Sequence, residues 1–133
     1  MSSVWDASAI LAVVRGEARA SEVVDMLDGA LISSVNVCEV IYKFVASGGT
    51  LESAQWIIGK LPIVSVPFTD EQAAVAASIH KSTHRKGISF ADRACLALGL
   101  SRDLKVITSD SRWPELDLDI DIHLFRGPSV ALA

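Results

Sequence analysis

Short apolar runs alternate with amphipathic stretches along this chain, and the alternation predicts strands separated by helices. The clearest helix is predicted at 36–46, where apolar residues such as Val37, Val40, Ile41 and Phe44 recur three and four positions apart. The other predicted helices are 7–14, 19–27, 50–59, 69–82 and 89–100. The predicted strands are 2–6, 30–34, 63–66, 105–108 and 120–124.

Strands that alternate with helices of this length favour a mostly parallel sheet with helices on both faces. We therefore expect one three-layer α/β/α domain over residues 1–133. The apolar fraction of 50% is high enough for a well-formed core. No apolar run approaches the roughly 20 residues that span a bilayer, and Cys38 and Cys95 both fall in apolar helical patterns typical of small core residues. These features predict a soluble, cytoplasmic protein without contact to a membrane.

Acidic residues stand where predicted strands end or helices begin. Such positions meet at one edge of a parallel sheet, where α/β proteins bind their ligands. Clustered carboxylates need a cation among them, and few histidines accompany these acids, so Mg²⁺ or Mn²⁺ is the expected partner. The candidate metal ligands and catalytic residues are Asp6, Glu39, Asp92 and Asp110.

Each of these acids also has a purely structural explanation. Asn36-x-x-Glu39 and Ser89-x-x-Asp92 match the capping box that satisfies free N–H groups at a helix start. The other two acids follow apolar runs, where aspartate often caps a helix or shapes a turn. A shared position near strand ends favours a site for the four acids together, and a carboxylate can serve in both ways.

The net charge of −4 is unusual for a general nucleic-acid binder, which carries a basic stripe. Without the four candidate acids, however, the remaining acids equal the 12 lysines and arginines. A bound divalent ion would change the local field further. The charge therefore predicts a modest, local contact with nucleic acid, and the candidate phosphate contacts are Arg93, Arg112 and Lys43.

Four segments resemble the PIN-domain nucleases, and among these the VapC-type toxins. They are V-W-D-A-S-A-I-L near the start, C-E-V after the second predicted strand, S-F-A-D-R-A-C-L-A-L, and V-I-T-S-D-S-R-W. The resemblance extends over nearly the whole chain. It implies a central sheet of strand order 3-2-1-4-5, a Mg²⁺- or Mn²⁺-dependent endoribonuclease, a homodimer or larger hetero-complex, and a small VapB-like antitoxin as partner.

The family's acidic positions fall on the four acids named above, and three hydroxyl residues accompany them. Ser8 matches the hydroxyl residue two positions after the first aspartate, and Thr108 or Ser109 matches the one just before the last. We expect these hydroxyl groups to orient the acids, and Glu39 to orient or deprotonate the attacking water. In the family, helices corresponding to 19–27 and 36–59 help to form the antitoxin groove. Whether transfer, ribosomal or messenger RNA is cut stays open, although structured RNA is the expected substrate.

Two other functions remain possible. A receiver module of a signalling system has a similar size, a parallel α/β fold and an acidic Mg²⁺ pocket. Receivers pair adjacent acids after the first strand, whereas Asp6 stands alone, and they carry an acceptor aspartate after the third strand, where this chain has Pro67-Phe68-Thr69. The other possibility is a PIN-fold scaffold without activity, which the four intact acids disfavour.

Overall fold

The computed structural model describes residues 2–125, and its elements follow the predicted alternation. The strands are β1 (Val4–Trp5), β2 (Ala30–Ser33), β3 (Ile63–Val66), β4 (Val106–Thr108) and β5 (Ile122–Leu124). The α-helices are α1 (Ala7–Val14), α2 (Ser34–Ala46), α3 (Leu51–Gly59), α4 (Asp70–Ser78), α5 (His80–Thr83) and α6 (Phe90–Arg102). Short 3₁₀ helices cover Ala18–Glu22, Val24–Met26 and Trp113–Glu115. The predicted domain of 1–133 includes residue 1 and residues 126–133, which lie outside the described residues.

The five strands form one sheet in the order β3-β2-β1-β4-β5, and every neighbouring pair is parallel. The predicted fold class and strand order are therefore confirmed. A receiver module would instead have the doubly wound order 2-1-3-4-5. From β1 the chain adds β2 and β3 on one side of the sheet, and it then crosses to the other side of β1 to add β4 and β5. The direction of strand addition therefore reverses between β1 and β4. Ligands of open α/β sheets bind at such a reversal, outside the carboxyl ends of the strands.

Both faces of the sheet are covered by helices. Successive strand residues point to opposite sides of the sheet, so they belong to two different core clusters. Trp5 and Ile107 belong to a core cluster with residues of α1, α2 and the segment between α1 and β2. Val4 and Val106, each one residue earlier, belong to a second cluster with residues of α6 and the 3₁₀ helix at Trp113–Glu115. Within residues 2–125, no helix is both long enough and apolar enough to cross a membrane.

The region predicted as one helix at 19–27 is instead two consecutive 3₁₀ helices, which meet at Val23. Ala20 and Val23 are buried and lie three residues apart, which matches the three-residue turn of a 3₁₀ helix. Val23 has φ −123°, which interrupts a continuous helix. The predicted helix at 69–82 likewise ends at Ser78, and α5 follows as a separate turn.

The capping box predicted at Asn36 and Glu39 is wrong, and so is a second one that the Thr69-x-x-Gln72 spacing predicts. Helix α2 begins at Ser34 and is capped by Ser33, so Asn36 lies inside the first turn and does not cap it. Thr69 does cap α4, but the side chain of Gln72 donates to the carbonyl of Pro67 and does not reach back to the cap. Cys38 also departs from prediction, because it is exposed, whereas Cys95 is buried in the core as expected.

Candidate active site

Asp6 follows β1 directly and caps the N-terminus of α1. Its Oδ1 accepts hydrogen bonds from the backbone N–H of Ala9 and the hydroxyl of Ser8, both at 2.8 Å. Its Oδ2 accepts a 2.6 Å hydrogen bond from the hydroxyl of Thr108. The residue is buried, and this burial raises the pKa of Asp6 to about 6 although the hydrogen bonds act in the opposite direction. The negative charge of Asp92 raises this pKa further.

The segment after β4 joins Asp6 to the last acid of the site. Thr108 is fully buried, and its Oγ1 accepts a 3.0 Å hydrogen bond from the backbone N–H of Asp110. The backbone N–H of Ser109 donates to the hydroxyl of Ser8 at 3.2 Å. Ser8 and Thr108 thus contact Asp6 through their hydroxyl groups. Ser109 contacts Ser8 through its backbone N–H.

Glu39 lies in the second turn of α2, and a buried amide holds it. Asn36 donates from Nδ2 to Oε1 of Glu39 at 3.2 Å and to the carbonyl of Ala91 at 3.1 Å. The second bond joins α2 to the first turn of α6. Asn36 is fully buried, and its Oδ1 has no hydrogen-bond partner among the described residues. The spacing to Glu39 indicated that the two side chains are related, but the capping-box interpretation assigned Asn36 the wrong role.

Asp92 lies in the first turn of α6 and forms the predicted capping box with Ser89. The backbone N–H of Ser89 donates to Oδ2 of Asp92 at 2.9 Å, and the backbone N–H of Asp92 donates to the hydroxyl of Ser89 at 3.1 Å. Both residues also line the same pocket as Asp6. The structural and the site interpretations of Asp92 are therefore compatible.

Asp110 is bound by Arg112, two residues later in the chain. Nε of Arg112 donates to Oδ1 at 2.9 Å and Nη2 donates to Oδ2 at 2.5 Å. Nη1 donates to the carbonyl of Gly87 at 2.6 Å, which connects the loop before α6 to the site. The hydrogen bond from Arg112 lowers the pKa of Asp110. Gly87 has φ +72°, and a Cβ there would collide with Arg112, so both the backbone and the packing favour glycine.

The four predicted acids line one pocket of about 270 Å³. Lys43 and Arg112 lie in its wall, whereas Arg93, the third predicted phosphate contact, lines a neighbouring groove. We call this site the acid pocket. Its lining residues are Asp6, Ala7, Ser8, Glu39, Lys43, Gly87, Ser89, Asp92, Asp110 and Arg112.

The donor set of the acid pocket fits a hard divalent cation, because carboxylate oxygens are the ligands that Mg²⁺ and Mn²⁺ prefer. In the observed arrangement, no three His, Cys, Asp or Glu side chains of residues 2–125 are close enough together to hold an ion. Both carboxylate oxygens of Asp110 are bound by Arg112, and one oxygen of Asp92 closes the helix cap. Ion binding would therefore require these side chains to move.

The PIN domain family model matches residues 4–118 of the chain. A comparison with curated proteins gives no match. Among solved structures, VapBC2 from Rickettsia felis, bound to a fragment of its promoter DNA, is similar with a TM-score of 0.74 and 13% identity, covering 94% of this chain and 99% of that chain. DNA-bound VapBC from Salmonella typhimurium is similar with a TM-score of 0.72 and 19% identity, covering 92% of this chain and 98% of that chain.

A third structure is VapC20 from Mycobacterium tuberculosis, which is described as a toxin that cleaves the sarcin-ricin loop. Its TM-score is 0.67 at 16% identity, and the match covers 81% of this chain and 89% of that chain. At such identities, the three structures show a shared fold. Function must be argued from the acid pocket itself.

Proposed function

The chain belongs to the PIN domain family, and we propose that it is a divalent-metal-dependent endoribonuclease, the toxin of a toxin–antitoxin pair. The observation that carries this proposal is the convergence of four carboxylates from separate parts of the chain into one pocket. They follow β1, lie on α2, begin α6 and follow β4. A structural role such as capping would not require them to share a cavity.

In this proposal, the four carboxylates would hold Mg²⁺ or Mn²⁺. A bound ion of this kind polarises a phosphate, lowers the pKa of bound water and stabilises the leaving oxygen. Asp6 is preorganised for binding, because three hydrogen bonds fix its two carboxylate oxygens. The burial that raises its pKa also excludes bulk water, which strengthens the attraction of the carboxylate for a cation.

Glu39 is the residue that we assign to the attacking water. Asn36 holds its Oε1, so the other carboxylate oxygen can accept a hydrogen bond or a proton from water in the pocket. The amide of Asn36 thereby positions Glu39 through contact with α6. Lys43 and Arg112 line the same pocket and would contact the phosphate, which positions RNA without reading its sequence.

We propose structured RNA, such as transfer or ribosomal RNA, as the substrate. The support is the fold shared with a toxin described as cleaving the sarcin-ricin loop. The identity of 16% is too low to transfer that particular target. Proteins that recognise RNA commonly read loops and bulges, so a single exposed loop is the expected site of cleavage.

We further propose a small antitoxin as partner, because the similar structures include VapBC complexes. An exposed apolar surface on α2, α3 and the preceding 3₁₀ segment would receive it. The exposed large apolar residues of these elements are Val24, Tyr42, Val45, Leu51 and Trp56. A helix or extended tail of the partner would pack there and reach the acid pocket. Unchanged cleavage after addition of the co-encoded small protein would argue against this assignment.

A homodimer, or a larger complex with the antitoxin, and a cytoplasmic location complete the proposal. The assembly is proposed from the resemblance to VapC-type toxins. The location is proposed from the same resemblance and from the need to reach cellular RNA. Sedimentation of the purified chain, alone and with its partner, would determine the assembly. A chain that sediments only as a monomer in both preparations would contradict the dimer.

The nuclease proposal is tested by incubating purified, partner-free protein with total RNA and Mg²⁺ or Mn²⁺, and sequencing the new 5′ ends. Discrete cuts that are absent with EDTA and with Asp6→Asn would support the proposal and identify the substrate. Asp25→Asn is the matched control, because Asp25 is an exposed aspartate outside the acid pocket. Retained metal-dependent cleavage by folded Asp6→Asn would refute the assignment of the site.

Absence of cleavage with either metal, in folded protein free of inhibitor, would favour a PIN-fold scaffold. The receiver alternative is tested with a small phosphodonor, since stable aspartyl phosphate would support it. The observed strand order disfavours that alternative.

A further inference from the structure

A second cavity, of about 230 Å³, lies beside the first turn of α6. We call it the Phe90 groove, and its lining residues are Phe68, Ala73, Ala76, Ala77, Phe90 and Arg93. Ser89 and Asp92 line the acid pocket, whereas Phe90 and Arg93, each the next residue in the chain, line the groove. Adjacent Cα atoms are about 3.8 Å apart. The two cavities are therefore neighbours across a single helical turn.

Phe90 exposes 56% of its surface, although a phenylalanine ring gains most when it is buried. Its ring meets that of Phe68 edge to face, with centroids 5.7 Å apart and an interplanar angle of 87°. Phe68 is fixed in turn, because its backbone N–H donates to the hydroxyl of Ser34 at the start of α2. The groove thus presents a supported aromatic surface to solvent.

Arg93 supplies a positive charge at the groove. Its Nη1 donates to the carbonyl of Ile88 at 2.9 Å, which leaves further N–H groups of the guanidinium available. In the part of the chain from 2 to 125, Arg93 forms no ion pair. A cation without an acidic partner beside an exposed aromatic ring is the combination that proteins use to bind single-stranded nucleic acid.

We propose that the Phe90 groove binds one unpaired base of RNA next to the phosphodiester in the acid pocket, with Phe90 stacking on the base and Arg93 pairing with its phosphate. This inference rests on the proposed function and adds the requirement that the substrate be unpaired beside the cut. A ring surface accepts any base, so the groove selects for unpaired structure more than for sequence. The positive charge of Arg93 complements an RNA phosphate, and the position of the groove beside the acid pocket favours RNA as its occupant.

The test compares Phe90→Ala, Phe90→Trp and a control, Val64→Ala. Val64 is also an exposed apolar residue, but it lies on β3 and lines neither the acid pocket nor the Phe90 groove. Binding of fluorescent single-stranded oligoadenylate is measured by anisotropy in EDTA, which prevents metal-dependent cleavage, with a matched RNA duplex for comparison. We expect about a tenfold loss of single-strand affinity for Phe90→Ala, because stacking of one base is lost. Phe90→Trp and Val64→Ala should bind as the unchanged protein does.

Arg93→Gln adds a second measurement, which is the salt dependence of binding. Loss of one phosphate contact should reduce the slope of log affinity against log salt by about 1. Unchanged oligoadenylate affinity for Phe90→Ala would overturn the inference, as would equal losses for the single strand and the duplex. Conversion of a dimer to a monomer by Phe90→Ala, with no change in RNA affinity, would assign the groove to a second copy instead.

Failure of this inference and failure of the nuclease proposal give different results. If Phe90→Ala leaves binding unchanged while Asp6→Asn abolishes cleavage, the nuclease stands and the base-binding groove does not. If Asp6→Asn still cuts RNA but Phe90→Ala loses affinity for the single strand, the catalytic assignment fails and the groove stands.

Discussion

The hydroxyl of Thr108 donates a 2.6 Å hydrogen bond to Oδ2 of Asp6, although the two residues are 102 positions apart in the chain. The contact arises because β1 and β4 are parallel neighbours and each residue stands at the carboxyl end of its strand. Thr108 also accepts from the backbone N–H of Asp110. One buried hydroxyl therefore connects two of the four acids and sets their relative position.

Thr108→Val should destabilise the protein by about 1–3 kcal/mol at neutral pH, because the buried Oδ2 of Asp6 loses its donor. The substitution keeps the side-chain shape, so packing changes little. Urea unfolding measures the loss, and Thr108→Ser is the control because it retains the hydroxyl. If the serine variant is no more stable than the valine variant, the hydrogen bond is not the cause.

The buried carboxyl of Asp6 should make stability depend on pH. The pKa of Asp6 is about 6 in the folded protein against the ordinary aspartate value of 3.8, so the folded state retains the proton more strongly. This stabilisation is complete below the unfolded pKa and is lost as pH rises through about 6. The metal-free protein should therefore lose about 3 kcal/mol of unfolding free energy over that interval.

Asp6→Asn should remove most of this pH dependence, since the amide cannot ionise and can still accept the capping bond from Ala9. Urea unfolding across the interval compares the two proteins, with exposed Asp25→Asn as control. At neutral pH, metal-free Asp6→Asn should be the more stable protein, and Mg²⁺ should stabilise only the protein that retains Asp6. Parallel pH profiles for the two proteins would contradict the assigned pKa.

Arg112→Gln should increase the affinity of the metal-free protein for Mn²⁺. Arg112 binds both carboxylate oxygens of Asp110, so an ion must compete with it for those oxygens. Its side chain is 51% exposed, and such ion pairs are worth about 1 kcal/mol or less. The expected gain is therefore a few-fold in the dissociation constant, measured by calorimetry or by electron paramagnetic resonance of free Mn²⁺.

The same variant should cut RNA more slowly despite tighter ion binding, because it lacks a cation that lines the pocket. Arg102→Gln, at the far end of α6, is the matched control. Weaker Mn²⁺ binding by Arg112→Gln would mean that the arginine organises the site for the ion and does not compete with it.

Asn36→Ala should slow the chemical step of cleavage and have a smaller effect on the affinity for RNA. The amide is buried and fixes Glu39 against the first turn of α6, so its loss should leave Glu39 free to rotate. We expect kcat to fall about tenfold with little change in KM. Exposed Gln55→Ala on α3 is the control. A change confined to KM would place Asn36 in RNA binding.

Much of the fold follows from local sequence patterns. The apolar repeats predicted α2 and α6, and the short apolar runs predicted all five strands to within about two residues. The cap at Asp6 and the capping box at Ser89 and Asp92 were also predictable, because both involve residues close together in the chain. Only the pairing of the strands brought these residues to one pocket.

The contacts that organise the site depended on tertiary structure. Asn36 reaches Ala91 across 55 positions, and Arg112 reaches Gly87 across 25, so no local pattern contains either contact. Sequence spacing predicted that Arg93 lies beside the acids. Because Arg93 is on a different face of α6 from Asp92, its side chain lines the Phe90 groove instead. The sequence by itself therefore determined which chemical groups the protein carries and which elements hold them, because periodicity and capping are local. The packing of those elements decided which groups meet, because side-chain contacts exist only once the sheet and helices have assembled.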